Sequence, residues 1–148
     1  MVLDPILGDE FAAALGHGAT RNGTSITVSN TTVLSEALLA TGFGYQPDRR
    51  RRQAEGLVEI LPRVRDIRRM GGAALDLASV ACGRVDAFFE RGLAPWDIAA
   101  GIVIVREAGG RVCDLSEGSP TGDLVVAAPE GILSELLSLL RSSGADRT

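Results

Sequence analysis

The chain has 148 residues, which suits one domain, and its 45% hydrophobic and 23% charged residues are typical of a globular protein rather than a disordered one. A formal net charge of −4 gives no electrostatic reason to expect nucleic acid, which favours clustered positive surface. The longest purely apolar stretches, such as residues 102–105, are too short to cross a bilayer. We therefore expect a cytoplasmic protein with neither a nucleic-acid nor a membrane partner.

The cysteine and histidine content argues against a zinc site. Cys82 and Cys113 lie far apart, and they have no second pair with which to form a metal motif. We find no signal peptide and interpret both cysteines as reduced, small apolar core residues. His17 lies between two glycines and is interpreted as a solvated turn residue.

The first half of the chain predicts short strands followed by a helix. Asn22-Gly23 indicates a hairpin between two strands, because both residues tolerate the positive φ that a tight turn requires. An apolar run at residues 37–41, ended by glycines, favours a strand. Residues 47–61 predict a helix that Pro62 closes. The residues expected to face inward from this helix are Leu57, Val58, Ile60 and Leu61.

Strands and helices alternate along the second half. We expect strands at residues 66–70, 85–89, 112–115 and 124–128, and helices at 73–81, at 95–108 and from Pro129 onward. The last helix places an apolar stripe on one side, formed by Ile132, Leu133, Leu136, Leu137 and Leu140. This alternation predicts an α/β fold with a parallel or mixed sheet. We expect one domain over 1–148, with strands and a hairpin at 1–30 and a frayed tail at 144–148.

Two segments are candidates for a functional site, because ligands in such sheets bind where strands end and helices begin. These segments are the turn at residues 71–73 and the stretch from Glu90 to Asp97. Asp97 falls in the first turn of a predicted helix, where the helix dipole favours an ionised carboxylate that could bind a hard cation. Two structural alternatives stay open: Asp97 only caps its helix, and Trp96 is a core anchor.

Several motifs together resemble the C-terminal half of the inositol monophosphatase family. The stretch Trp96-Asp97-Ile98-Ala99-Ala100-Gly101, followed by Ile104-Val105-Arg106-Glu107-Ala108-Gly109-Gly110, is similar to that family's C-terminal signature. Similar spacing continues through residues 67–74, 85–90 and 16–23, so the resemblance covers nearly the whole chain. It implies the layered α/β fold of inositol monophosphatases and sugar phosphatases.

The resemblance also implies roles for individual residues. Asp97 corresponds to a catalytic, magnesium-binding aspartate close to the substrate, and Glu90 to an acid that accepts a hydrogen bond from a substrate hydroxyl. Gly71, Gly72 and Ala73 correspond to a turn that cradles the substrate, although Gly72 stands where the family has Thr or Ser and so lacks the hydroxyl. The implied cofactor is Mg²⁺, and the implied substrate is a small phosphorylated polyol or sugar.

One departure from the family pattern concerns its other metal ligands. Those ligands lie in an acidic pair and in an Asp-Pro-Ile/Leu-Asp-Gly-Thr motif, and the sequence contains neither. Asp4-Pro5-Ile6 begins like that motif but continues differently, and we interpret it as a Pro-containing turn. We therefore expect a truncated chain whose magnesium site is incomplete without a complementary N-terminal half.

The sequence leaves several functions open. The first is hydrolysis of inositol phosphate, or, within the same family, of histidinol phosphate, fructose bisphosphate or adenosine bisphosphate. The alternative is a catalytically inactive remnant that forms a homodimer or binds another partner. The basic run Arg49–Arg52 is interpreted as a solvated, partly helical face rather than a phosphate or nucleic-acid site.

Overall fold

The structure, a computed structural model, describes residues 1–120 and 122–145. The α-helices of this part of the chain are α1 (Pro47–Ile60), α2 (Ala73–Ala81), α3 (Pro95–Glu107) and α4 (Glu130–Ser142). Its nine strands in the described residues are β1 (Val2–Asp4), β2 (Asp9–Ala13), β3 (Ala19–Arg21), β4 (Thr24–Ile26), β5 (Leu38–Thr41), β6 (Asp66–Arg68), β7 (Ala87–Glu90), β8 (Arg111–Cys113) and β9 (Val125–Ala128). Within that part of the chain, no helix combines the length and the hydropathy needed to cross a membrane.

The first sheet is an antiparallel meander in the order β1-β2-β3-β4. Asn22 and Gly23 connect β3 to β4 with φ values of 52° and 76°, so the predicted hairpin turn is confirmed. The N-terminal segment contains four strands where we expected two, because residues 1–13 already form a strand pair joined by a turn at residues 5–8.

The second sheet is mixed, with the order β6-β5-β7-β9-β8. Strands β6 and β7 both pair parallel to β5, whereas β9 pairs antiparallel to β7 and to β8. This arrangement confirms the expected α/β sheet. It also brings the carboxyl ends of β5, β6 and β7 to one edge of the sheet.

Both faces of the second sheet are covered, which explains why its inner strands are apolar except at their last residues, Thr41 in β5 and Glu90 in β7. Residues such as Ala40 and Phe88 face α2, α3 and the first sheet, while their strand neighbours Leu39 and Phe89 face α1 and α4. The molecule is therefore layered as four-stranded sheet, helix pair, five-stranded sheet, helix pair. The expected apolar stripe of α4 is buried against the last of these interfaces.

Three side-chain orientations differ from those expected from the sequence. Val58 and Leu61 were expected to face inward but are exposed. Val58 lies on the side of α1 opposite the buried residues Gly56 and Ile60, and Leu61 follows the last residue of the helix. Trp96 is 81% exposed, so its interpretation as a core anchor is wrong. The predicted frayed tail lies mostly outside the described residues, which end at residue 145.

A carboxylate of α3 ties this helix to the first sheet. Glu107 accepts hydrogen bonds from the backbone N–H groups of Gly16 (2.9 Å) and Gly18 (2.8 Å) in the turn between β2 and β3. These bonds hold the pKa of Glu107 below its usual value, although its partial burial opposes them. His17, between the two donors, is exposed, as expected for a turn residue.

Gly101 lets α3 approach α2 closely, and its replacement tests that packing. A β-carbon on Gly101 would lie 2.6 Å from the β-carbon of Leu77. We expect Gly101→Ala to lower the free energy of unfolding by about 1–3 kcal/mol, because overpacking outweighs the gain of up to ~1 kcal/mol in helix propensity. Denaturant unfolding measures the change. Ala99→Gln on the exposed side of the same helix is the control, and equal effects would contradict close packing at Gly101.

Candidate functional site

A cleft of about 250 Å³ lies at the edge where β5, β6 and β7 end. The helices α1, α2 and α3 each begin beside it, so strand ends and helix N-termini meet there. Its lining residues are Gly42, Phe43, Gly44, Tyr45, Arg49, Arg69, Gly71, Gly72, Ala73, Glu90, Arg91, Gly92, Leu93 and Asp97. All five site residues predicted from the sequence are in this set, so segments far apart in the chain surround one cavity.

The turn at residues 71–73 leads from β6 into α2 and forms one wall of the cleft. Gly71 has a φ of 110°, a conformation that side chains rarely adopt. Gly72 is the N-cap of α2 and provides no side-chain cap. The first amide groups of the helix therefore depend on water or a ligand for hydrogen-bond partners.

Asp97 occupies the first turn of α3, where its carboxylate both caps the helix and lines the cleft. Its Oδ2 accepts a hydrogen bond of 2.9 Å from the Ala94 N–H. No other hydrogen bond from a described residue reaches this carboxylate. The two interpretations of Asp97, helix cap and ligand-binding carboxylate, are thus compatible, because one oxygen serves the helix and the other is left for the cleft.

Glu90 ends the central strand β7, and its carboxylate lies over the backbone of Gly42. A β-carbon on Gly42 would overlap this carboxylate, so a side chain there would displace the Glu90 carboxylate from its present position. Partial burial raises the pKa of Glu90, Asp97 adds to the rise, and the Arg69 and Arg49 guanidinium groups oppose it. Glu90 receives no hydrogen bond from a described residue, so its oxygens are available to a ligand hydroxyl.

Asp76 is a carboxylate near the cleft that the sequence analysis did not identify. It lies on α2, is only 1% exposed, and its Oδ1 has no hydrogen-bond partner among the described residues. Burial raises its pKa to about 7, with Glu90 adding to the rise and Arg69 opposing it. The signal available in the sequence was one acid within the small apolar run 73–81, where an inward-facing carboxyl is unusual.

Three arginines also line the cleft, Arg49, Arg69 and Arg91, and the sequence analysis identified none of them as a site residue. Arg50, Arg51 and Arg52 are exposed, as the interpretation of the basic run required. Arg49 departs from it: the residue is half-buried and its Nη2 donates a 2.9 Å hydrogen bond to the Arg91 carbonyl. Arg69 reaches over Gly71, where a β-carbon would lie 2.6 Å from its Nη1.

The donor set in the cleft fits part of a magnesium site. Mg²⁺ prefers oxygen ligands and is commonly held by one or two carboxylates together with waters and a substrate phosphate. Asp97 and Glu90 supply carboxylates to the same cleft. Within residues 1–120 and 122–145, however, there is no cluster of three or more His, Cys, Asp or Glu that could hold a metal. The chain therefore offers Asp97, assisted by Glu90, as partial ligands only.

The segment Asp4-Pro5 lies away from this cleft and forms a turn, as predicted. The Asp4 Oδ1 accepts hydrogen bonds from the N–H groups of Ile6 (3.0 Å) and Leu7 (3.1 Å). Both cysteines are free thiols: Cys113 is buried, and Cys82 is half-buried at the end of α2.

The fold is a layered α/β architecture, and its carboxylates and glycine turn surround a cleft at the strand ends, where α/β folds of this kind commonly bind ligands. The model of the inositol monophosphatase family matches residues 1–145. The chain belongs to the inositol monophosphatase family.

Individual relatives agree with this membership and show how much of each is shared. The chain is 46% identical over 136 residues to an inositol-1-monophosphatase of Mycobacterium bovis, which covers 88% of this chain and 47% of the relative. It is 43% identical over 150 residues to the Nus factor SuhB of Pasteurella multocida, covering 99% and 56%. The solved inositol monophosphatase of Anabaena superposes with a TM-score of 0.85 at 40% identity, covering 95% and 57%. The chain thus spans about half the length of these relatives.

The buried Asp76 carboxyl predicts a pH-dependent effect of Asp76→Asn on stability. Its pKa is about 7 in the fold against an ordinary 3.8, so its stabilising contribution is complete below about pH 4 and is lost as the pH rises through 7. A neutral amide avoids this loss. We expect Asp76→Asn to raise the free energy of unfolding by roughly 2–4 kcal/mol at pH 8 and to change it little at pH 4.

Denaturant unfolding at the two pH values measures this effect, with the exposed Asp123→Asn as the matched control. The control is expected to stay within about 0.5 kcal/mol of the wild type at both pH values. Equal destabilisation by Asp76→Asn at pH 4 and pH 8 would contradict the view that ionisation of the buried Asp76 carboxyl costs stability.

Proposed function

We propose that this chain supplies the substrate-binding side and one metal-binding carboxylate of a magnesium-dependent phosphomonoesterase acting on inositol phosphate or a related small sugar phosphate. The observation that carries this proposal is the meeting of Asp97, Glu90 and the 71–73 turn around one cleft in a member of the inositol monophosphatase family. Relatives named inositol-1-monophosphatase support the substrate class.

Each residue has a role that follows from its position. The Glu90 carboxylate, which accepts no hydrogen bond from a described residue, accepts one from a substrate hydroxyl. Such a polar contact discriminates between substrates more sharply than an apolar contact does. The glycines at 71 and 72 let the substrate approach the first amides of α2. Asp97 would hold the cation through the carboxylate oxygen that does not cap α3. When bound, magnesium would activate a water and offset charge on the phosphoryl group.

The proposal also explains why activity should need a second segment. One or two carboxylates plus phosphate can hold a single magnesium ion, but a two-metal arrangement needs more ligands than the described residues bring together. The Asp-Pro-Ile/Leu-Asp-Gly-Thr motif, which resemblance to the family associates with metal binding, does not occur in this sequence. We propose that a complementary segment carrying that motif completes the site.

Phosphate release from inositol 1-phosphate with Mg²⁺ tests the proposal. The chain is assayed alone and together with the part of the Mycobacterium bovis relative that it does not match, supplied by fusion or co-expression. We expect little turnover by the chain alone and clear turnover by the completed protein. Asp97→Asn in the completed protein should lower kcat/KM by about 100-fold or more, because it removes an anionic metal ligand.

Asp48→Asn, an exposed acid in the first turn of α1, is the matched control and should leave kcat/KM within about twofold of the wild type. Turnover by the unaccompanied chain that Asp97→Asn leaves intact would contradict the assignment of Asp97.

A second candidate function is a self-associating module without turnover, and a surface feature favours it. Ile6, Leu7 and Met70 are 89%, 65% and 52% exposed and border a largely apolar depression of about 540 Å³ beside Phe11 and Leu75. The nearby strand β1 is an edge strand of its sheet, and among the described residues no other strand pairs with its outer side. Exposed apolar side chains next to an open strand edge favour association with another chain.

Light scattering coupled to size-exclusion chromatography tests this candidate over a range of protein concentrations. We expect a concentration-dependent dimer of the wild type and an increase in its dissociation constant of about tenfold or more in Leu7→Glu, because the charge would be buried at the contact. Val58→Glu changes an equally exposed residue on α1 and should leave the dimer unchanged. A monomer at every concentration would exclude self-association.

A further inference from the structure

The charges around the cleft are arranged in a way that the binding of one phosphate and one hydroxyl does not explain. The guanidinium groups of Arg69 and Arg49 each lower the pKa of Glu90 by electrostatic attraction to its carboxylate. No ion pair between Glu90 and either arginine forms among the described residues, so neither guanidinium is neutralised by the carboxylate that it influences. Both positive groups therefore remain available to a bound ligand.

Arg49 is held in place by the backbone rather than by an acid. Its stem passes over Gly44, where a β-carbon would lie 2.5 Å from the Arg49 Cδ, and its guanidinium lies against Gly92, where a β-carbon would overlap it. The hydrogen bond from Nη2 to the Arg91 carbonyl fixes one end of the group. Two glycines thus provide the space that lets a long cationic side chain enter the cleft wall.

One atom of this guanidinium lacks a partner. The Arg49 Nε is buried and has no hydrogen-bond acceptor among the described residues. A buried donor without an acceptor costs about 1–3 kcal/mol, and a guanidinium presents its donors in a planar fork that suits phosphate and carboxylate. The bond to the Arg91 carbonyl satisfies Nη2 but leaves Nε unpaired, in a side chain that lines the cleft.

We propose that Arg49, together with Arg69, forms an anion-binding end of the cleft, so that the preferred ligands are polyol or sugar phosphates that carry a second acidic group. This inference rests on the proposed function, in which Asp97 and its metal hold the first phosphate while Glu90 accepts a hydroxyl. The second group is a phosphate or a carboxylate, since both match the guanidinium fork. Because the chain has a net charge of −4, its overall field does not attract a second anionic group. Tighter binding of such a ligand therefore requires arginines close to it.

Three ligands with one carbon skeleton isolate the effect of the second acidic group. Glucitol 6-phosphate carries one acidic group, 6-phosphogluconate replaces the terminal CH₂OH with a carboxylate, and glucitol 1,6-bisphosphate adds a phosphate. Their binding to the full 148-residue chain with Mg²⁺ is measured by isothermal titration calorimetry, which needs no turnover. We expect the second acidic group to tighten binding by about 10- to 100-fold, as one charge-assisted hydrogen bond predicts.

The variants separate Arg49 from charge in general. Arg49→Met keeps a stem that can pack on Gly44 and should abolish the gain, which is measured relative to glucitol 6-phosphate in the same variant. Gly44→Ala keeps the charge but displaces the stem, and it should reduce the gain as well. Arg52→Gln removes an exposed arginine of the same helix and should leave the gain intact. Circular dichroism and thermal unfolding verify that each variant folds.

The outcomes distinguish this inference from the proposed function. If glucitol 6-phosphate binds and Glu90→Gln weakens it, but the second acidic group adds nothing, the anion-binding end is wrong while the proposed site stands. The inference is equally wrong if the gain survives Arg49→Met or is lost in Arg52→Gln. If no ligand binds the wild-type chain, the inference is overturned, while the phosphate-release assay of the completed protein still decides the proposed site. If ligands bind but their binding is insensitive to Glu90→Gln, both the inference and the proposed site are overturned.

Discussion

The cleft depends on three parallel strands that end at the same edge of a sheet covered on both faces. Because β6, β5 and β7 run in one direction, their carboxyl ends deliver Arg69, Gly42 and Glu90 to neighbouring positions. Helices on both faces of the sheet then start at that edge and bring their first turns into the same space. The antiparallel strand β9 completes the sheet without adding its carboxyl end to the cleft. Strand direction, more than any single contact, therefore assembles the site.

Glycine gives the long charged side chains room at this edge. The carboxylate of Glu90 lies over Gly42, Arg49 lies against Gly44 and Gly92, and Arg69 crosses Gly71. In each case a β-carbon would come closer to the charged side chain than van der Waals contact allows. The glycines therefore act on the site through the absence of a side chain, and only Gly71 and Gly92 among them also need a positive φ.

Much of the fold follows from local pattern, because periodicity reports directly on burial. The bounds of α2 match the prediction, and the stripe of α4 is buried as its spacing requires. The prediction for α1 was less successful: Val58 and Leu61 looked inward by hydrophobicity alone, yet Gly56 and Ile60 face the core. Gly56 has no side chain, so α1 can approach its neighbours closely at that position. A pattern of hydrophobic residues does not predict close packing at a glycine.

The candidate site was predictable only where family resemblance marked it. Asp97, Glu90 and the 71–73 turn carry recognisable motifs, and the structure places them around one cleft. Asp76 and Arg49 carry none, and their positions depend on contacts between elements distant in the chain. An acid in an apolar run and an arginine in a basic run have many ordinary explanations, so only the fold reveals that both lie beside the same glutamate.

The helix-capping bond of Asp97 is better understood as part of a ligand site than as its competitor. A magnesium ion accepts a single carboxylate oxygen and keeps waters at its other positions, so it does not need both oxygens of Asp97. The Ala94 N–H holds Oδ2 at 2.9 Å and so fixes the direction in which the other oxygen points. Outer partners of this kind orient metal ligands and are generally important for affinity. A free aspartate would lose rotamer entropy on binding, whereas this one is already ordered by its own helix. In the proposed site, the same first turn that stabilises α3 would thus prepare a carboxylate for a cation whose other ligands come from elsewhere.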